Sequence, residues 1–305
     1  MDDSLSLYEL PSALVKPALE ACRTFNSTLD VAFYDVSIMR RELHARGAPA
    51  IDLMAAANPE GALLVVDAGG PPFVQRFEDV PSFLKWRATA TAPPKTVSIT
   101  GVGSSALGSA ALAWDISKAL GAPVLAIVPG YGVADALLQG LGGWFGFGLH
   151  DALGTKSHLQ DALALMTPEL AKVGRKLSAS VPGARHLNGA PVFRTGCGSS
   201  DVLHALMGEI EVACVVGHSK GALSIANALR SLPPDRTKGL RIVTLGCPVA
   251  EELAGANYHQ FLGLFDAVGQ SNAWAHLPDA WTPTDHSTNT SLLLSMNAEK
   301  LVRES

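Results

Sequence analysis

The sequence predicts an α/β protein with a mostly parallel central sheet, helices on both faces of the sheet, and a helical lid or cap insertion. Three observations predict this fold. Apolar, β-branched runs alternate with helical stretches of ten or so residues from Lys95 onward, which is typical of parallel strands covered on both faces. The interval from Pro129 to Val212 is far longer than a simple crossover needs. A strand before Ser219 breaks at a glycine-rich turn and continues as a helical pattern.

The length suits one large α/β domain or two small ones, and we expect residues 1–305 to form a single domain. The chain has 305 residues, of which 48% are hydrophobic and 17% charged, so it can bury a substantial core. Its formal net charge of −5 indicates no basic surface, and we therefore expect no nucleic-acid partner. The sequence does not indicate an oligomeric state.

The cysteines and the N-terminus indicate the compartment. Because the four cysteines show no C-x-x-C spacing, buried free thiols are favoured over a disulfide framework or a zinc site. They are Cys22, Cys197, Cys214 and Cys247. The chain begins MDDSLSLYEL without the apolar region of a signal peptide, so we expect a cytoplasmic protein. We predict no transmembrane segment, because the longest apolar region, Pro123–Leu149, is interrupted by a proline, an aspartate and several glycines.

The remaining elements follow in chain order. Residues up to about Ala57 are predicted to be mainly helical and to pack against the sheet or extend its edge. Ala62–Ala68 is predicted as a buried strand, with Phe73–Phe77 as its hairpin partner across a Gly-Gly-Pro-Pro turn. Further strands are predicted at Thr96–Val102, Pro123–Val128, Val212–Val216, Arg241–Leu245 and Gln260–Phe265. Helices are predicted at Ala110–Leu120, at Asp201–Ile210 and directly after Ser219.

The long interval contains the predicted lid, at roughly Tyr131–Ser200. Insertions of this kind usually lie over the carboxyl ends of the strands, where ligands bind in open α/β sheets. Its apolar side chains could line an acyl-sized pocket, or they could be the core of a larger domain. They are Leu137, Leu138, Leu141, Trp144, Phe145 and Phe147. We take Leu138, Leu141, Trp144 and Phe145 as the candidate substrate-binding residues.

The turn around Ser219 reads Gly-His-Ser-Lys-Gly between a strand and a helix. A serine at the tip of such a turn is held in a strained conformation. The residues two before and two after it must lack side chains, which Gly217 and Gly221 satisfy. The backbone N–H of Lys220 points toward any negative charge that develops beside the serine. The alternative is an ordinary turn with a helix-capping serine.

A serine nucleophile needs a base, and the base needs an orienting acid. In folds with this turn they follow the serine in the order acid, then histidine. Asp266 is predicted to end the strand QFLGLF, at the same sheet edge as Ser219. His286 is predicted to begin a final helix after a proline-containing loop, from which its imidazole could reach that edge.

Other residues could supply the same groups. His276, in AWAHLPDAW, is the rival base and lies nearer to the predicted acid in sequence. His259 starts its strand at the far edge and is expected to be structural. Asp279 and Asp285 are reserve acids, although Asp285 is adjacent to His286 and cannot easily approach its Nδ1.

Stabilising the developing oxyanion takes a second N–H besides that of Lys220, normally from a loop after an earlier strand. Val102 or Gly103 is the predicted donor, because both lie in the loop Thr100–Ser105, which ends the strand Thr96–Val102 and opens a helix. The side chains of Ser104 and Ser105 could assist, although helix capping explains them equally well.

The second half of the chain contains the segments GHSKGALSIANAL, RIVTLGCPVAEEL, FLGLFDAV, HLP and DH. In these segments the chain resembles the α/β-hydrolase superfamily, and around the turn it is most similar to the class 3 lipases. The resemblance covers roughly Val212 to His286. It implies the α/β-hydrolase fold, a Ser219–Asp266–His286 triad and a serine esterase or lipase that cleaves a hydrophobic, lipid-like ester. Such chemistry needs no metal or organic cofactor, and peripheral contact with lipid is compatible with it.

Three alternatives stay open. The same triad could serve an acyltransferase or a thioesterase, and the fold could also be a non-catalytic binding module. Gly101, Gly103 and Ala106 in TGVGSSALG match G-x-G-x-x-A, the fingerprint of an NAD(P)-binding oxidoreductase. However, the next strand does not end in a ribose-binding acid, and the sequence contains no Tyr-x-x-x-Lys pair.

Overall fold

The computed structural model describes residues 28–50, 52, 63–101, 104–129, 199–230, 232–250, 252–273 and 276–305. Its strands are β1 Leu63–Val66, β2 Val74–Phe77, β3 Thr96–Ile99, β4 Val124–Ile127, β5 Cys214–His218, β6 Arg241–Leu245, β7 Asn257–Gly263 and β8 Ala280–Thr282. Its helices are α1 Val36–Ala45, α2 Val80–Arg87, α3 Ala106–Leu120, α4 Ser199–Glu209, α5 Lys220–Arg230, α6 Pro234–Thr237, α7 Ala267–Asn272 and α8 Ala298–Glu304. Residues 28–33 are also helical.

The eight strands form one mixed, mostly parallel sheet in the order β2-β1-β4-β3-β5-β6-β7-β8. The first strand is antiparallel to both of its neighbours, β2 and β4. Every pairing from β4 through β3, β5, β6 and β7 to β8 is parallel. An α/β protein with a mostly parallel sheet is therefore confirmed, and β5 lies in its interior.

Alternate residues of the strands pack on opposite faces, as the two-residue period of a strand requires. On one face, residues such as Val124 and Ala126 of β4 pack with α1, α3 and α8. On the other face, Leu125 and Ile127 of the same strand pack with α2, α4 and α5. Helices on both faces explain why strands β1, β3 and β4 are buried along their whole length.

Several predicted elements agree with the structure. The hairpin of β1 and β2 is confirmed, with Leu63 paired to Phe77 and Val66 to Val74. The bounds of β6 are the predicted ones. Helix α3 starts four residues earlier than predicted, at Ala106, because Ser105 caps it by accepting a hydrogen bond from the Leu107 N–H.

Two predictions near the end of the chain are wrong. Strand β7 ends at Gly263 and not at Phe265, because the chain turns at Leu264 and Phe265, whose side chains are 53% and 61% exposed. His286 does not begin a helix. It lies in a loop after β8, a three-residue strand that was not predicted, and the final helix starts only at Ala298.

The loop after β8 stays non-helical because its polar groups form hydrogen bonds within the loop and to the N-terminal segment. Asp285 Oδ1 accepts from the Ser287 N–H (2.8 Å), and Ser287 Oγ donates to the Ala32 carbonyl (2.9 Å). Thr290 donates through both its N–H and its hydroxyl to the Asp35 carboxyl group. These contacts tie the loop to the segment before and at the start of α1.

A buried carboxyl group from the same N-terminal segment anchors the start of α3. Asp30, which is fully buried, accepts hydrogen bonds from Ser104 Oγ, Ser105 Oγ and the Ser105 N–H. Burial raises the pKa of the Asp30 carboxyl above its ordinary value, and the serine hydrogen bonds oppose that rise. Both serines that the sequence left between two roles therefore bind Asp30, and Ser105 also caps α3.

The predicted lid falls almost entirely outside the described residues. Its candidate pocket residues all lie outside them: Leu137, Leu138, Leu141, Trp144, Phe145 and Phe147. Cys22 and Cys197 also lie outside the described residues. Cys214 and Cys247 are buried free thiols, and burial raises the pKa of each. Within the described ranges, every helix is too short or too polar to span a bilayer.

Candidate active site

Ser219 sits between the last residue of β5, His218, and the first residue of α5, Lys220. Its φ of 54° makes it a non-glycine residue with positive φ, in the left-handed region that L-residues rarely adopt. The Ser219 N–H donates to the Leu245 carbonyl (2.9 Å), and its carbonyl accepts from the Ala222 N–H (3.0 Å). The strained backbone is thus held from both sides, and the serine is 4% exposed.

The two glycines of the turn are required by close packing. An ideal Cβ on Gly217 would lie 2.6 Å from the Ala222 nitrogen, and one on Gly221 would overlap the Ile99 carbonyl oxygen at the end of β3. Real Cβ atoms do not tolerate such contacts with the main chain. Strand β5, helix α5 and strand β3 therefore approach each other at distances that only glycine allows.

Asp266 and His286 form a buried pair. The His286 Nδ1 lies 2.9 Å from Oδ1 and 2.8 Å from Oδ2 of Asp266. Asp266 is 1% exposed and also accepts a hydrogen bond from the Gly269 N–H, by which it caps α7. A carboxylate at Nδ1 favours the tautomer with the proton there, which leaves Nε2 as the basic nitrogen.

The end of β6 joins this pair to the serine. Leu245 accepts the Ser219 N–H, and the next residue, Gly246, has a φ of 69°. A Cβ on Gly246 would lie 3.0 Å from both Asp266 Oδ2 and His286 Nδ1. Within the described residues, the hydrogen bonds of the His286 ring go to Asp266, and none joins it to the Ser219 hydroxyl.

The rival residues have other partners. His276 Nε2 accepts from the Gln260 side-chain amide (3.3 Å). Asp279 accepts from the Gln260 N–H, and Asp285 from a residue of its own loop. His259 is the third residue of β7, not its first. The imidazole that contacts Asp266 is that of His286.

The proposed oxyanion donors are only partly described. Helix α5 begins at Lys220, and this agrees with the predicted place of the Lys220 N–H at the start of the helix. Val102 and Gly103 lie outside the described residues. The Gly101 N–H, directly before them, already donates to the Tyr34 hydroxyl (2.8 Å). An ideal Cβ on Gly101 would lie 2.9 Å from Ser219 Cβ, so the loop after β3 does pass beside the serine.

No role for His218 or Tyr34 in this region was predicted from the sequence. His218, 1% exposed, contacts the Tyr34 hydroxyl through Nδ1 (2.9 Å) and the His286 main-chain carbonyl through Nε2 (2.8 Å). Burial, and less strongly the nearby His286, lowers the pKa of His218 to about 3. A signal was available, because a histidine that ends a buried strand must find partners for both ring nitrogens.

No described cluster of three or more His, Cys, Asp or Glu side chains could hold a metal ion. Comparison with protein-family models, with curated proteins and with solved structures found no match for the chain. The geometry around Ser219 is therefore the basis for assigning a function.

The two helical glycines Gly221 and Gly208 provide a matched test of the close packing. We expect Gly221→Ala to lower the free energy of unfolding by about 1–3 kcal/mol, because the added methyl group collides with the main chain of β3. Gly208→Ala, whose Cβ would meet open space on α4, should raise it by about 0.5–1 kcal/mol. Urea denaturation of both variants measures the difference, and equal effects would contradict the packing argument.

The buried His218 also predicts a pH dependence of stability. The pKa of His218 is about 3 in the folded protein and about 6.5 in the unfolded chain. Between these pH values the unfolded chain is protonated at His218 and the folded protein is not. Stability is retained above pH 6.5 and is lost as the pH falls toward 3. Between pH 7 and pH 5 this loss is about 2 kcal/mol.

Replacing the imidazole tests this dependence. In urea titrations at pH 7 and pH 5, we expect His218→Gln to lose about 2 kcal/mol less than the wild-type protein over that interval. His259→Gln, in the next strand but one, serves as the control and should follow the wild type. Equal losses in all three proteins would show that His218 takes up its proton at the same pH in the folded and in the unfolded protein.

Proposed function

We propose that the protein is a serine hydrolase of the α/β-hydrolase type that cleaves a hydrophobic carboxylic ester through an acyl-enzyme on Ser219. One observation carries this proposal. A serine with a φ of 54° sits between two sterically required glycines, and the neighbouring strand end contacts a buried Asp266–His286 pair. A strained serine at the same sheet edge as a histidine whose ring a carboxylate orients supports nucleophilic catalysis.

In the proposed reaction, Ser219 Oγ attacks the ester carbonyl while His286 Nε2 accepts its proton. Asp266 orients the imidazole and stabilises the imidazolium. The Lys220 N–H stabilises the oxyanion, with Val102 or Gly103 as the second donor that the sequence predicts. His286 then returns the proton to the departing alcohol. Water, deprotonated by the same imidazole, attacks the acyl-enzyme. The imidazolium returns this proton to Ser219 Oγ as the ester bond breaks and the carboxylic acid is released.

The order of the elements supports the superfamily assignment. Ser219 follows β5, Asp266 follows β7 and His286 follows β8, so the three groups occur in the chain order serine, acid, histidine. Strands β5 to β8 are consecutive neighbours in the sheet and run parallel. Their carboxyl ends share one edge, where ligands bind in open α/β sheets.

Apolar side chains beside this edge support a hydrophobic substrate. Leu264 and Phe265 follow β7, and Leu292–Leu294 lie in the loop after His286, with Leu293 98% exposed. The main chain connects the two groups, because the Phe265 N–H donates to the Thr284 carbonyl and the Asp285 N–H to the Leu294 carbonyl. Exposed apolar groups of this kind suit a lipid-like ester, and the contribution of the predicted lid residues stays a prediction.

The dinucleotide alternative is disfavoured by the start of α3. A pyrophosphate would bind N–H groups at this helix N-terminus. The Ser105 N–H there already donates to the Asp30 carboxyl group, and the Gly101 N–H donates to Tyr34. The space in front of Gly101 is filled by Ser219 and the tyrosine hydroxyl.

A p-nitrophenyl ester series from acetate to palmitate tests the hydrolase proposal. We expect Ser219→Ala to lower kcat at least about 1,000-fold, because it removes the nucleophile. Ser224→Ala, on a buried serine one turn further along α5, is the matched control and should retain activity. Labelling by a fluorophosphonate that is retained in Ser224→Ala and abolished in Ser219→Ala locates the acylated residue. Undiminished hydrolysis by Ser219→Ala would refute the assignment.

The choice of acid and base is tested separately. We expect His286→Ala to lose activity as Ser219→Ala does, and Asp266→Asn to lower kcat by about 10⁴-fold through the wrong tautomer of the imidazole. His276→Ala should keep the wild-type rate, since its ring contacts Gln260. An inactive His276→Ala beside an active His286→Ala would reverse the assignment of the base.

A further inference from the structure

The hydrogen-bond directions around His218 can be deduced from its partners. A main-chain carbonyl only accepts, so His218 Nε2 carries the proton that is donated to the His286 carbonyl. In a neutral imidazole the other nitrogen, Nδ1, then accepts, and its donor is the Tyr34 hydroxyl. The Tyr34 oxygen in turn accepts from the Gly101 N–H. The hydrogen bonds therefore run in one direction, from the Gly101 N–H through the Tyr34 hydroxyl and the His218 ring to the His286 carbonyl.

This hydrogen-bonded chain connects the three segments that meet at the serine. Gly101 follows β3 and lies against Ser219 Cβ. His218 is the residue directly before Ser219, and His286 supplies the proposed base. Tyr34 and His218 are 3% and 1% exposed, so water does not compete for their hydrogen bonds.

We propose that Tyr34 and His218 are positioning residues of the site, which hold the main chain at His286 and at Gly101 in place relative to Ser219. This inference rests on the proposed hydrolase function. Asp266 fixes the His286 ring through Nδ1, whereas His218 fixes the main chain from which that ring projects. Tyr34 fixes Gly101, which precedes the predicted oxyanion donors.

The N-terminal segment that carries Tyr34 holds the same loop by a second route. Ser287 Oγ donates to the Ala32 carbonyl, and the Thr288 N–H donates to the Phe33 carbonyl (both 2.9 Å). Ser287, directly after His286, is thus held both by Asp285 and by this segment. Tyr34 therefore acts from a main chain that is itself fixed to the loop of the proposed base.

Two His218 variants separate the two halves of the chain. In His218→Gln the amide nitrogen can occupy the place of Nε2 and still donate to the His286 carbonyl. In His218→Asn the shorter side chain can still accept from Tyr34 but cannot reach His286. We expect His218→Asn to lower kcat about 10–100-fold with little change in KM, because misplacement of a catalytic group by about 1 Å costs up to about 100-fold. His218→Gln should keep most of the wild-type kcat.

A tyrosine pair tests the other end. Tyr34→Phe removes the acceptor of the Gly101 N–H, and we expect it to lower kcat about tenfold at unchanged KM. Tyr258→Phe is the matched control, because the Tyr258 hydroxyl likewise accepts a main-chain N–H, that of Leu253 (3.1 Å). It should keep the wild-type kcat. Thermal unfolding of each variant shows whether it is folded at the assay temperature.

Ring ¹⁵N spectra of the histidines give a readout that does not need activity. We expect the His286 signals to report one fixed tautomer in the wild type and in His218→Gln, and an averaged tautomer in His218→Asn. Unchanged His286 signals in folded His218→Asn would overturn the positioning role, as would equal kcat in the Asn and Gln variants. A wild-type protein that shows the fixed tautomer but neither hydrolyses an ester nor reacts with the fluorophosphonate would refute the proposed function alone.

Discussion

The contact between the start of α5 and the end of β3 is the constraint on which the rest of the site depends. Gly221 approaches the Ile99 carbonyl so closely that only a hydrogen atom fits between them. The chain must therefore turn within one residue, and Ser219 takes the left-handed conformation at a cost of about 1–3 kcal/mol. Packing on both faces of the sheet maintains this strain, because β5 is buried along its whole length.

Buried polar groups place the loops around this turn, and each is satisfied in a different way. Asp266 takes hydrogen bonds from an imidazole and from an N–H of α7, so its charge has partners although it is almost wholly buried. Asp30 takes its hydrogen bonds from two serines at the start of α3. Asp30 joins the N-terminal helical residues to the start of α3, 74 residues further on, and Asp266 joins the start of α7 to the loop after β8.

The sequence predicts the turn and its serine well because the relevant signals are local. Two glycines, a β-branched run and an Ala-rich helix fall within one short stretch around Ser219. The predicted partners Asp266 and His286 are in contact, yet the final helix predicted to start at His286 is absent. That error has a physical cause, because Ser287 and Thr290 bind the N-terminal segment and not their own helix. A local pattern contains no trace of such partners.

The roles of Asp30 and Tyr34 could not be predicted for the same reason. Tyr34 contacts a histidine that is 184 residues away, and Asp30 contacts a serine 74 residues away. Periodicity and turn chemistry describe neighbours along the chain, whereas these contacts depend on the packing of the N-terminal segment beside the parallel sheet. The predicted helical character of this segment was correct for residues 28–33 and for α1.

A neutral His218 beside the proposed base His286 avoids electrostatic repulsion. The His218 and His286 rings are 5.0 Å apart, and both are buried. In the proposed reaction His286 must gain a positive charge, and a second positive charge at that distance in a low-dielectric site would oppose it strongly. Burial lowers the pKa of His218 to about 3, so it can hold the main chain of His286 without carrying a charge. A lysine or arginine could donate the same hydrogen bond, but it would disfavour the imidazolium on which the proposed mechanism depends.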